Sequence, residues 1–517
     1  MAERGQAVRS GRTAQTIRKG DGPLAGKRVL AFDFGASSGR AILADYDGGR
    51  INMREIHRFS NDPVNVRGTL YWDVLRLFFE IKQGITKAVH QGGFDAVGID
   101  TWGVDFGLLD REGQLLANPV HYRDERTNGM MEEAFAVIPR EELYDRTGIQ
   151  LLKINTLFQL YSLTKREPGL LARAETMLLM PDLFAYFLTG VKRAEYTEVS
   201  TTQMLDPRTG DWARDILERL GIPTGILPDI IDPGQVYGEL SDAICEELGC
   251  PKVPVIAVAT HDTGSAVASV PTREKDFIYL SCGTWCLFGT ELDTPLITEE
   301  TRRFNLTNEG GVGRTTRMLK NIMGLWLIQE SRRQWIREGY EVSYADLERE
   351  ALEVPPFRCF IDPDDPTFET PGNLPRRVRE FCERTGQEVP NSRGEIMRCI
   401  YESLAMKYRY TFEAVRKATG REYAAIHMIG GGTKDRLLCQ MTADACDCRV
   451  VAGPIEATAM GNIAVQLMAL GEIDSLEEAR AIVARSDDPK FYAPAAAAAY
   501  EAQAARFARL LEQGGNT

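Results

Sequence analysis

Short apolar runs recur through the first half of the chain and alternate with stretches of helical spacing. Val29-Leu30-Ala31-Phe32 passes through a polar, small-residue segment into Ala41-Ile42-Leu43-Ala44, a pattern that predicts strand, turn, strand. Tyr71 to Val89 sets Val74, Leu75, Phe78, Ile81 and Ile85 on one face of a helix. Ala96 to Asp100 reads as a buried strand running into the mixed segment Thr101 to Asp110. A further apolar strand, Val253 to Ala259, ends at Thr260-His261-Asp262-Thr263-Gly264-Ser265-Ala266, where a helix is expected to begin.

The second half repeats the theme. Phe277 to Gly289 again reads strand, small-residue turn, strand. Asn321 and Gln329 flank the apolar run Ile322 to Ile328 and are expected on one helix. Met397 to Ala418 predicts a long helix, Ile426 to Ile429 a strand, Gly430-Gly431-Gly432 a turn, and Leu437 to Cys446 another helix. Ala-rich Pro494 to Leu511 should form a terminal helix.

Two strand–turn–strand units far apart in the chain predict a duplicated α/β architecture. A chain of 517 residues also exceeds the size at which single cores split. The expected organisation is a disordered extension at 1–27, an N-terminal domain at 28–270, a C-terminal domain at 271–490, and a C-terminal helix and tail at 491–517. The boundary between the domains falls near Pro271 to Lys275.

Composition narrows the function classes. With 44% apolar and 26% charged residues the chain reads as an ordinary soluble globular protein. Its net charge of −13 argues against nucleic acid or an anionic membrane as partner. No apolar run reaches the roughly 18 to 20 residues of a membrane span. Met1 to Lys27 has no hydrophobic stretch and is not expected to be a secretory leader, so the cytoplasm is the expected compartment. The ten cysteines lie between Cys245 and Cys448, make no C-x-x-C pair, and accompany only five histidines. Buried reduced thiols are expected rather than a zinc site, with a Cys382–Cys399 bridge as the alternative.

Candidate chemistry begins at Asp33-Phe34-Gly35-Ala36-Ser37-Ser38-Gly39-Arg40. Small residues let a backbone approach a phosphate, two hydroxyls donate, Arg40 supplies charge, and Asp33 could hold a metal-bound water. The chain turns back into a strand here, unlike a P-loop; a plain hairpin turn fits the same letters. Asp262, after a strand and in the first turn of a helix, could accept a hydroxyl proton during attack on phosphorus, or could be a helix cap. His261 and Thr263 could donate to a polyol. Asp100-Thr101-Trp102-Gly103-Val104-Asp105 mixes carboxylates with an indole, as carbohydrate sites do; a core tryptophan with solvated aspartates is the alternative. His121 to Thr127 reads as an exposed charged loop. Gly283-Thr284 and Gly430-Gly431-Gly432 are further phosphate or nucleotide turns.

These segments, in this order, resemble the FGGY-type carbohydrate kinases, and within them the branch acting on L-rhamnulose. The matching stretches include DFGASSGR (33–40), GIDTWGVDFGLLD (98–110), YRDERTNG (122–129), EYTEVSTTQ (195–203), HDTGSAV (261–267), LSCGTWCLFG (280–289), LKNIMGLWLIQ (319–329) and VVAGPIEATAMGNI (450–463). The resemblance runs from about Val29 to about Leu470. It implies an actin-like ATPase fold, two ribonuclease-H-like domains around an active-site cleft. The implied reaction moves the ATP γ-phosphoryl group to the 1-hydroxyl of L-rhamnulose, giving L-rhamnulose 1-phosphate and ADP in L-rhamnose catabolism. Ala36, Ser37, Ser38, Gly39, Arg40, Thr284, Gln329 and Gly431 would line ATP. Gly103, His261, Asp262, Thr263 and Asn321 would meet the sugar, Asp262 would be the general base, and Asp33 would support Mg2+ through water. The expected partners are the ketose and ATP, in a monomer or homodimer. A kinase for L-fuculose or xylulose, or a non-kinase actin-like ATPase, are the rival readings. The N-terminal extension is unmatched, and Cys286 stands where serine is common.

Overall fold

The computed structural model describes residues 26–513. The extension expected at 1–27 lies outside the described residues except for its last two, and Lys27 already opens the first strand. Strand β1 (Lys27–Phe34) pairs antiparallel with β2 (Ser38–Tyr46), and β2 with β3 (Ile51–Ser60). On its other edge β1 runs parallel to β4 (Ala96–Thr101). Strand β5 (Val236–Glu239) lies antiparallel to β6 (Pro254–Ile256), which runs parallel to β4. The sheet order is therefore β5-β6-β4-β1-β2-β3. Val29 to Phe34 are buried without alternation because helices cover both faces of this central strand.

The second sheet is built from β7 (Ile278–Cys282), β8 (Trp285–Leu292), β9 (Thr307–Gly310), β10 (Thr316–Met323), β11 (Ala425–Ile429), β12 (Arg449–Ala452) and β13 (Lys490–Tyr492). Its order is β9-β10-β8-β7-β11-β12-β13. The runs β3-β2-β1-β4-β6 and β10-β8-β7-β11-β12 share one plan, an antiparallel meander joined to two parallel strands. The duplicated α/β architecture expected from the paired hairpins is thus present, as are the two ribonuclease-H-like units that the resemblance implies.

Helices follow from caps and apolar stripes. α1 (Val74–His90) starts at Asp73, whose side chain accepts from Arg76 N, and buries Leu77, Ile81 and Ile85. α2 (Asp262–Ala268), α3 (Trp326–Arg337), α4 (Arg393–Thr419), α5 (Arg436–Cys446), α6 (Ala457–Ala469) and α7 (Leu476–Ser486) carry the rest of the argument. The capping box of Ser392 and Glu395 opens α4, and Gly420 in the left-handed region closes it. α6 leaves the second sheet and packs on the first. There Gln466 Nε2 donates to Leu30 O at 3.1 Å, and Asn462 Nδ2 to Asp100 Oδ2 at 2.6 Å. Where α6 crosses α2, a Cβ on Gly461 would fall on the carbonyl of Ser265, so only glycine permits this approach.

Three expectations are corrected. The strand read over 253–259 is only Pro254–Ile256: Ala257 still exchanges backbone bonds with Gly234 and Gln235, and Thr260 N then turns to the carboxylate of Glu195. Asn321 and Gln329 do not share a helix: Asn321 lies on β10 and Gln329 on α3. Between them Gly324, Leu325 and Trp326 donate their N–H groups to the carbonyls of Gly283 and Thr284, which ends the strand. The terminal helix is two pieces, Ala497–Glu501 and Ala504–Gln513, with Tyr500 set against Phe357 and Phe507 against Phe360.

All ten cysteines are free thiols, and the sulfurs of buried Cys359, Cys382 and Cys399 lie within 4.8 Å of one another. Among the described residues no helix is long and apolar enough to cross a membrane.

Candidate active site

A cavity of about 660 Å³ lies between the sheets, lined from both. It gathers Asp33, Ala36, Ser37, Ser38 and Arg40 from the first hairpin and Gly103 from the loop after β4. His261, Asp262 and Thr263 come from the start of α2, Thr284 from the second hairpin, and Asn321, Gln329 and Gly431 from the second half. Of the expected site residues only Gly39 does not line it. Gly39 sits against the rings of Phe34 and Phe59, where any side chain would clash, and so shapes the hairpin from behind.

The first turn is closed by Gly35 N donating to Ser38 O and is braced by buried Asn61, whose Nδ2 donates to Gly35 O at 2.9 Å. Arg40 donates to Asp33 Oδ2 from Nε at 3.0 Å and from Nη2 at 2.7 Å, and pairs across the cleft with Glu456. Burial works against its charge, but Asp33 and Glu456 hold it protonated well above the usual arginine range.

Asp262 is not the helix cap. His261 occupies that position and makes no side-chain cap bond. Instead Asp262 Oδ1 accepts from Thr263 N at 2.5 Å and Thr263 Oγ1 at 3.0 Å. Enclosure in the cleft and the nearby charge of Asp33 raise its pKa to about 7, against the hydrogen bonds from Thr263 and the charge of Arg317. Such a carboxyl is poised to take a proton near neutral pH.

The turn that presents it is held by Glu195. That buried carboxylate accepts from Thr260 N and Oγ1, Thr197 N and Oγ1, and Glu198 N. Behind it lies a buried polar chain. Arg317 Nη2 donates to His261 Nδ1 at 3.1 Å, leaving the imidazole proton on Nε2, 3.5 Å from Asp262 Oδ1. Burial, with Arg317, keeps His261 neutral. Arg317 Nη1 lies 3.3 Å from Glu309 Oε2, and Glu309 Oε1 accepts from Asn321 Nδ2 at 3.3 Å.

The sugar-facing wall differs from expectation. The carboxylates of the 100–105 segment neither face the cavity nor meet solvent. Asp105 is fully buried and accepts from Trp72 Nε1, Trp102 Nε1, Gln159 Nε2 and Tyr122 N. Its carboxyl, raised by burial to about 6, fixes the indole that lines the cavity. Val104 has φ +71°, a genuine outlier for a β-branched residue. Its N–H donates to Thr201 Oγ1, and its carbonyl accepts from Thr156 Oγ1 and Gln159 Nε2, which hold that strain beside the cavity. The 121–127 segment is not an exposed loop either: His121, Tyr122, Asp124 and Thr127 are buried. Arg123 stacks over Trp326 at 4.5 Å and donates to Glu369 O, joining the two halves.

Sequence reasoning missed Gln150, which lines the cavity and exchanges hydrogen bonds with the backbone and side chain of Asn321. No local pattern marks it; its partner is 171 residues away. At the opposite end Gln329 lines the cavity with a buried amide oxygen, Oε1, that has no protein donor. Tyr344, Glu348 and Lys434 also line the cavity.

Comparison with known proteins bears on all of this. The model of the FGGY family of carbohydrate kinases, N-terminal domain, matches residues 28–268, and that of the C-terminal domain matches 278–470. A rhamnulokinase of Bacteroides thetaiotaomicron is 44% identical over 477 residues, covering 92% of this chain and 98% of the relative. One from Halalkalibacterium halodurans is 43% identical over 468 residues, covering 90% and 98%. Among solved structures, a ligand-bound xylulose kinase of Lactobacillus acidophilus superposes with TM-score 0.79 at 17% identity over 94% of this chain and 98% of that one. A Plasmodium falciparum glycerol kinase with ADP does so at TM-score 0.75 and 14% identity, over 95% and 98%.

Proposed function

The chain belongs to the FGGY family of carbohydrate kinases, and on that premise we propose that it transfers the γ-phosphoryl group of ATP to the 1-hydroxyl of L-rhamnulose. The carrying observation is that Asp262 and both phosphate-type turns open into one cavity. The ketose lies between the Trp102-Gly103-Val104 wall, His261, Gln150 and Asn321. Its 1-hydroxyl meets Asp262, which takes the proton as the oxygen attacks the γ-phosphorus. The bond to the β-phosphate oxygen breaks, and ADP leaves. The hairpin turns at 36–40 and 283–284 grip the triphosphate, and the orphaned Gln329 Oε1 suits an amino-group donor such as that of adenine.

The reading includes Mg2+. Asp33 lines the cavity and offers the hard carboxylate oxygen that would hold a divalent cation through water, while its cross-strand neighbour Asp100 is buried away from the cavity. Held there, the cation would supply neutralisation of the phosphate charge. Arg40 adds fixed positive charge on the same side, and enclosure by both halves excludes water from the reacting phosphorus. We place the reaction in the cytoplasm, where ATP is available.

ADP release across a panel of ketoses tests this. Turnover that depends on L-rhamnulose and falls by about 10² to 10⁴ in Asp262→Asn is expected. Preference for xylulose or L-fuculose would move the substrate while keeping the mechanism. Sugar-independent turnover, or full activity in the mutant, would overturn it.

A further inference from the structure

Cys282 and Cys286 stand directly opposite each other at the mouth of the β7–β8 hairpin, bracketing Gly283-Thr284-Trp285. Their sulfurs are 3.4 Å apart and in hydrogen-bond contact. Opposed residues of an antiparallel ladder have Cα atoms roughly 4.5 to 5.5 Å apart, inside the span a disulfide bridges. Cys282 is buried but contributes to the cavity wall, whereas Cys286 does not, so Cys282 is the member of the pair on the cleft side. Tyr408 donates its hydroxyl to Cys286 Sγ at 3.1 Å, which supports negative charge on that sulfur.

We propose that this pair is a reversible peroxide-oxidised disulfide site that weakens nucleotide binding. The inference rests on the reading that the 283–284 turn holds ATP. The chemistry balances with hydrogen peroxide as oxidant. The Cys282 sulfur attacks one peroxide oxygen: S–O forms, O–O breaks, and the released hydroxide leaves as water with the thiol proton. The Cys286 sulfur then attacks that of Cys282: S–S forms, S–O breaks, and a second water leaves with the Cys286 proton. Two thiols are oxidised and one peroxide is reduced.

Packing carries the consequence to the nucleotide. Cys282 Sγ is pressed on Gly432 and Cys286 Sγ on Gly324, each so close that no Cβ would fit. Closing the sulfurs from 3.4 Å to the bonded distance of about 2.05 Å shifts both from these seats. Three elements therefore move together: the Thr284 turn, the Gly430–Gly432 turn, and the break that positions Gln329.

The test treats the reduced full-length protein with hydrogen peroxide and reads two signals, peptide mass and ADP binding by calorimetry. Trypsin leaves both cysteines in one peptide, 276–302, which has no internal lysine or arginine. The expected result is loss of two hydrogens from that peptide, protection by bound ADP, and ADP affinity weakened about tenfold and restored by dithiothreitol. Cys286→Ser should fold, bind ADP and show no affinity change under peroxide, while keeping the Cys359–Cys382–Cys399 cluster as an internal control. An unchanged peptide overturns the inference. So does a cross-link to Cys439 on a separate peptide, an oxidised protein with unaltered ADP affinity, or persisting sensitivity in Cys286→Ser. Failure of the reduced protein to bind ADP at all would remove the ATP reading itself, and the inference with it.

Discussion

On the proposed role of Asp262 as proton acceptor, the sign of its pH dependence follows from the raised pKa of its carboxyl. A carboxyl raised to about 7 accepts a proton only above that value. We expect kcat/KM for the ketose to fall about tenfold per pH unit below pH 7 and to be level above it. Asp33→Asn removes one of the two causes of the shift and should carry the acid limb to lower pH, read from the same profile. A limb near pH 4 in the wild type would contradict the assignment. Asp262 itself was legible in the sequence, because strand-to-helix junctions carry local marks. Val104, Gln150 and Glu195 were not. Their roles depend on partners such as Thr201, Asn321 and Thr260, which adjacency along the chain does not reveal.

Strands β9 and β10 place Glu309 and Arg317 as direct cross-strand partners, both buried. Burial raises the carboxyl of Glu309, and Arg317 opposes this. Arg317→Met would leave a buried carboxylate without its cation, at a cost of about 3 to 5 kcal/mol in urea unfolding. Adding Glu309→Leu to that variant should recover much of the loss. The single variant should also move the acid limb of Asp262 upward, because Arg317 holds it down. The same strand shows where pattern reading fails. Ile322 to Ile328 is a continuous apolar run, and periodicity alone does not separate a buried strand from a buried helix. What divides it is a set of backbone bonds to the second hairpin, far away in sequence. The hairpins themselves were legible because each is local, apolar–small–apolar, with no distant partner required.

The duplicated plan of the whole molecule was likewise visible, since both hairpins declare it. That α6 returns to the first sheet was not, for an apolar helix carries no record of which sheet it will cover. Its crossing with α2 at Gly461 lies between the halves. Gly461→Val should cost about 1 to 3 kcal/mol in unfolding free energy. We expect ketose and an ATP analogue together to lower the radius of gyration in small-angle scattering and Gly461→Val to blunt that decrease; an unaltered decrease would argue against a pivot here. α2 begins with Asp262, and α6 begins just after Glu456, the partner of Arg40. The halves meet at this crossing and again through Arg123 and Gln150. Swinging one half about the other would carry Asp262 and Arg40 through the same arc, so that neither would be aligned without the other. A sugar of the wrong shape would then stop the halves at the wrong angle, and discrimination would be written in the rate of transfer more than in the tightness of binding.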